Sequence, residues 1–161
     1  MNAIQRRPLA AVRTPFYRLA PSQRQLVSAM RRWTEGTAGR PDVIESLFSL
    51  FGIYYIEATL EAFDTVMFAL ADNPANPVGL YPAGCSRVSA GELATLKLIT
   101  AFQANDLGIT QSLARELAGP EGAPELLAAC SVIAEALDAR RILFTLREYK
   151  PLALMVVAGQ G

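Results

Sequence analysis

Residues 42–72, DVIESLFSLFGIYYIEATLEAFDTVMFALAD, limit the fold more than any other part of the chain. Pro41 and Asp42 open the stretch, and Asp72, Asn73 and Pro74 close it. An acid in the first turn suits the positive end of a helix dipole. Pro74 disfavours helical geometry at the residue before it, which makes Asn73 a natural stop. Apolar residues crowd the first half and then thin to Leu60, Phe63, Val66, Met67 and Leu70, a one-faced helical spacing. The pattern predicts one long central helix, bent at Gly52, with the other helices packed on it.

A bilayer span needs about 18 to 20 consecutive apolar residues. The uncharged run between Glu45 and Glu57 is too short for that. Glu57, Glu61 and Asp64 follow on one face, and each charge would cost roughly 3 kcal/mol at a bilayer centre. The first half therefore reads as a core helix or a partner-facing one. The acidic row reads as a solvated helix face.

Residues 21–35 form a helix with Pro21 at its first position and a stripe of Leu26, Met30 and Trp33. Arg24, Arg31 and Arg32 fall off that stripe and read as solvated, and Gly36 supplies the stop. Residues 73–87, NPANPVGLYPAGCSR, have too many prolines and glycines to be regular. Ser89 and Glu92 then form a capping box, opening a helix to about residue 105. Thr110 is read as the cap of a short helix over residues 111–118, broken at residues 119–122. Pro124 begins the next helix, which carries Leu126, Cys130, Ile133 and Leu137 and ends near Arg141. Residues 142–157 read as helix or strand, with a short extended tail favoured. The expected architecture is all-α: about five helices around residues 42–72, an extended basic arm over residues 1–20, and one helical domain over residues 21–161.

The chain has no histidine. That removes the commonest general base near neutral pH, the commonest metal ligand and every Ser-His or Cys-His pairing. Two cysteines without histidine rarely hold zinc. Neither G-x-x-x-x-G-K-[ST] nor G-x-G-x-x-G occurs. No metal and no cofactor is expected, and the balance leans away from an enzyme. Cys85 is the one reactive candidate, because Arg87 and a helix start lie close by and both favour thiolate. The competing reading is a small residue that packs the loop down.

Net charge is zero, yet residues 1–40 hold eight arginines against the single acid Glu35. Such a segment suits a nucleic acid, an anionic membrane, an acidic partner or the protein's own acidic body. A helix-turn-helix reading of residues 89–137 fails on charge. No Lys or Arg lies between Arg115 and Arg140, where a recognition helix needs cations and donors. Three function classes follow. The favoured one is a protein-interaction or structural module, docking or self-associating through Phe51, Tyr54 and Tyr55 or through Arg6, Arg7, Arg13 and Arg18. The second is nucleic-acid association through the same arginines, without sequence reading. The third is a thiol-dependent activity at Cys85.

The order LVSAMRRW, LFSLFGIYY and CSRVSAGELATL resembles a group of short alphaproteobacterial helical proteins, over roughly residues 25–118. The group shares an arginine-pair helix, a Phe-Gly turn in a long helix and a cysteine before a Ser/Thr-x-x-Glu cap. This chain has one cysteine where the group has a cluster. The resemblance implies an all-helical fold in a bacterial cytoplasm and implies no activity. Few cysteines and no apolar signal segment also fit a reduced cytoplasmic setting.

Overall fold

The structure is a computed structural model that describes residues 14–73 and 79–146. Most of the basic arm, with Arg6, Arg7 and Arg13, lies outside the described residues, as does the tail beyond residue 146. Among the described residues there are five α-helices and no strand: α1 (Pro21–Trp33), α2 (Arg40–Phe51), α3 (Ile56–Ala71), α4 (Ala90–Gln103) and α5 (Leu107–Ala139). The all-α class and the number of helices are those the sequence predicts. No helix is long and apolar enough to cross a membrane, and no group of metal-ligating side chains comes together among the described residues.

The predicted bend at Gly52 is a full break. Gly52 has φ 78° and ψ 176°, a conformation open essentially to glycine alone. Its N–H closes α2 on the Phe48 carbonyl at 2.8 Å, and the chain turns through residues 52–55 before α3 starts. The Arg140 guanidinium lies against the glycine on its open side. Residues 42–72 are thus two helices meeting at a corner.

The most enclosed helix is α4. Leu93, Thr95, Leu96, Leu98, Ile99 and Ala101 are buried around its circumference, because α5 covers one flank and α1 touches another. The long α5 packs along both α3 and α4, while α1 and α2 form a second pair. One core joins them, through Met30 and Val27 of α1, Leu47 and Phe51 of α2, Phe63 and Met67 of α3, Leu96 and Ile99 of α4, and Leu126, Ile133 and Leu137 of α5.

α5 begins earlier than the sequence suggests. Asp106 is its cap, with a carboxylate oxygen accepting from the Ile109 N–H at 3.2 Å. Thr110 lies inside the helix, where its hydroxyl donates to the Leu107 carbonyl at 2.9 Å. Gly119, at φ 76° and ψ 170°, kinks the helix where the sequence predicts a break. The chain resumes at Pro120 in place of Pro124, since proline suits a first helical turn. Residues 142–146 leave the helix as an irregular segment that turns inward. Gln103 holds it: its amide donates to the Ile142 carbonyl and accepts from the Phe144 N–H, both at 2.8 Å. Phe144 and Leu146 are buried as a result.

Gly52→Ala should destabilise the protein by roughly 1–3 kcal/mol, since an L residue is strained at that φ, while its Cβ would only push aside the flexible end of Arg140. Gly79→Ala, with open space around it, should change little. Urea denaturation of both variants checks the contrast.

Candidate interaction surface

Behind the surface lies a buried ion pair. Arg31 and Glu92 are 2 % and 0 % exposed. Off the apolar stripe, Arg31 is expected in solvent; instead α1 turns it inward onto the start of α4. Arg31 Nε donates to Glu92 Oε1 at 2.8 Å, and Nη2 donates to Oε2 at 2.9 Å. The carboxylate also accepts from the Tyr81 N–H on Oε1 and the Ser89 N–H on Oε2, both at 2.9 Å. Four donors match the four acceptor positions of a carboxylate. The rest of the guanidinium binds the loop: Nη1 donates to the Cys85 carbonyl at 2.8 Å and Nη2 to the Arg87 carbonyl at 2.6 Å. The Phe16 ring lies 4.8 Å from the guanidinium carbon.

Glu92 is therefore both the N3 residue of the predicted capping box and the anchor for residues 79–89. Ser89 Oγ accepts from the Glu92 N–H at 3.1 Å and donates to the Gly79 carbonyl at 2.7 Å. The end of the arm docks on the same loop, with the Phe16 N–H on the Ser86 carbonyl at 2.8 Å and the Val88 N–H on the Thr14 carbonyl at 3.0 Å. Between this loop, α1 and α2 lies a cleft of about 600 Å³, lined by Tyr17, Arg32, Asp42, Glu45 and Cys85 among others. Cys85 is partly exposed there, and both cysteines are free thiols. Burial pushes the Cys130 thiol up to about 12, in keeping with its core position.

A second polar cluster joins α1, α2 and α3. Arg40 grips Asp64 with both nitrogens, at 2.7 and 2.8 Å, and the Trp33 indole N–H donates to Asp64 Oδ1 at 3.0 Å. Trp33 also meets the exposed Phe68 edge to face, with centroids 5.1 Å apart. Asp64 thus leaves the solvated row assigned to it, while Glu57 and Glu61 remain exposed. The Arg40 hydrogen bond holds the Asp64 carboxyl below its ordinary value against an opposing push from partial burial, and Trp33 adds to the lowering.

The α2–α3 corner is the third feature. Ile53 and Tyr54 are 70 % and 94 % exposed, with Tyr55, Phe48 and Ile44 also exposed nearby. The break at Gly52 produces this: it ends α2 while Phe51 is still in the core and swings the next three residues outward. Of the predicted partner-binding residues, Tyr54 and Tyr55 reach the surface. Phe51 is fully buried and has no surface to offer, because it faces inward one residue before the break. Arg18 is exposed on the arm, remote in sequence from the corner, while Arg6, Arg7 and Arg13 lie outside the described residues. Sequence reasoning missed Ile44, Phe48 and Ile53 as surface residues. The signal was present in an apolar run too dense for one helix face to bury.

Arg31→Met strands the Glu92 carboxylate in the core and should cost roughly 3–5 kcal/mol in urea denaturation, with faster amide exchange at Tyr81 and Ser89. Asp64→Asn should cost about 1 kcal/mol at neutral pH, a figure reduced for the solvent that reaches the pair. Asp64 has a folded value below its unfolded one, so its contribution is complete above the unfolded carboxylate range, roughly pH 4. It fades as pH falls through the folded value, and melts from pH 7 to pH 2 should show the variant converging on the parent. A thiol reagent should label Cys85 in the native protein and Cys130 only after unfolding.

The chain matches no family model, no curated protein and no solved structure.

Proposed function

We propose that this chain is a helical protein-interaction module that docks through the α2–α3 corner. The observation behind the reading is the crowding of exposed apolar side chains. Five large ones, Ile44, Phe48, Ile53, Tyr54 and Tyr55, lie within residues 44–55. Single exposed hydrophobics need no explanation, whereas contiguous ones mark contact sites. The corner is also pre-ordered. The Tyr55 N–H reaches the Gly52 carbonyl at 3.3 Å, and the Tyr55 carbonyl accepts from the Thr59 hydroxyl at 2.6 Å. Aromatic side chains on a fixed backbone lose little freedom on binding.

The nucleic-acid alternative rests on Arg6, Arg7, Arg13 and Arg18, of which Arg18 is among the described residues and exposed; the other four arginines of residues 1–40 add nothing to it. Arg31 is buried, Arg40 is spent on Asp64, and Arg32 faces Glu35 and Asp42. Arg24 donates to the carbonyls of Tyr17 and Leu19. Half of the eight arginines that suggested an electrostatic arm are thus occupied within the protein. For the thiol alternative, the support is the partial exposure of Cys85 in the cleft.

A photo-crosslinking side chain at position 54 should give a discrete protein adduct in cells, and one at exposed position 125 should not. Ile53→Ser should weaken that adduct without lowering the melting temperature. Equal adducts from both positions would count against the corner.

A further inference from the structure

The corner lies in a stretch of uniform charge. Residues 41–86 contain six acids, Asp42, Glu45, Glu57, Glu61, Asp64 and Asp72, and no lysine or arginine. Two of the six are met from outside the stretch, Asp64 by Arg40 at 2.7 Å and Asp42 by Arg32 at 3.6 Å. Glu45, Glu57 and Glu61 stay exposed. They sit beside the apolar residues: Glu45 follows Ile44 on α2, Glu57 lies two residues beyond Tyr55, and Glu61 is one turn further along α3. One cation, Arg140, lies over Gly52. Among the described residues, three exposed carboxylates, set against Arg140 and an Arg32 that lines the same cleft as Glu45 but is already paired with Glu35 and Asp42, leave the rim negative.

Resting on the interaction reading above, we infer that the corner takes a cationic, apolar segment of a partner protein. An apolar centre with a negative rim complements a segment whose apolar side chains alternate with Lys or Arg at helical spacing. Tyr54 and Tyr55 add ring faces to which an ammonium or guanidinium is attracted. Other occupants meet the rim with the wrong sign. A two-fold contact between copies sets like carboxylates near one another. Nucleic acid and anionic lipid are both repelled by it.

The test uses the intact chain and fluorescence anisotropy with three labelled peptides of one helical pattern: lysine with leucine, glutamate with leucine, and lysine with serine. The lysine–leucine peptide should bind and the other two should not. Raising salt should weaken binding, as should the combined variant Glu45→Gln, Glu57→Gln, Glu61→Gln, each by roughly tenfold. Equal binding of the lysine–leucine and glutamate–leucine peptides would overturn the charge assignment and leave the docking reading standing. No binding by any peptide, together with no adduct from position 54, would remove the docking reading as well. A dimer in sedimentation that Ile53→Ser dissociates would overturn the partner in favour of a second copy. Tighter peptide binding by the Arg6→Ala, Arg7→Ala, Arg13→Ala variant would overturn it in favour of the chain's own arm. The peptide and salt comparisons use the unmodified chain, so they hold even if a variant folds poorly.

Discussion

The buried Arg31–Glu92 pair is the interaction on which the rest of the structure depends. Taking both charges out of water costs several kcal/mol per ion, and the cost is offset only when every donor and acceptor is used. Here all four acceptor positions of the carboxylate and four of the five guanidinium N–H groups are used. Glu92 accepts four hydrogen bonds, and Arg31 gives what remains of its fork to the carbonyls of Cys85 and Arg87. A loop rich in proline and glycine has few ways to satisfy its own backbone groups. The guanidinium and carboxylate do it in place of a strand or helix. One pair therefore fixes the register of α1 on α4, the path of residues 79–89 and the seat of the arm at Phe16.

The corner arises from a different constraint, the limit on what one helix can bury. Residues 43–56 are apolar nearly all round. A straight helix through them would need neighbours on every side, and only α1 and α3 pack on α2 as principal partners. Gly52 resolves the excess by ending the helix after Phe51 and placing Ile53 and Tyr54 outside. The kink at Gly119 uses nearly the same dihedral angles, φ 76° and ψ 170°, to bend α5 where it passes α3. Asn73 closes that second site, its amide donating to the Leu117 carbonyl at 3.2 Å.

Much of this was legible in the sequence, because local signals have local causes. The Ser89–Glu92 capping box, the Gly36 and Gly119 breaks and the stripe of Leu26 and Met30 depend on neighbours a few residues away. The misreadings come from one long-range contact and two competing local signals. Arg31 looks like a solvated partner of Arg32, and only a carboxylate 61 residues later turns it inward. Phe51 and Tyr54 belong to one apolar run, and the side each takes is decided by the dihedral at Gly52 between them. Thr110 has the chemistry of a cap, but Asp106 lies one turn earlier and starts the helix first.

The same long-range pairings change what the charge distribution means. Counted along the chain, residues 1–40 are a cationic segment. In the fold, Arg24 is spent on backbone carbonyls, Arg31 on Glu92, Arg32 on Glu35 and Asp42, and Arg40 on Asp64. The arginines nearest the helices bind the molecule to itself. What they leave at the α2–α3 corner is Glu45, Glu57 and Glu61 around bare aromatic and aliphatic side chains. A charge excess in sequence marks a binding surface only after internal pairing is subtracted. Once it is subtracted here, the feature left at the corner is acidic and apolar.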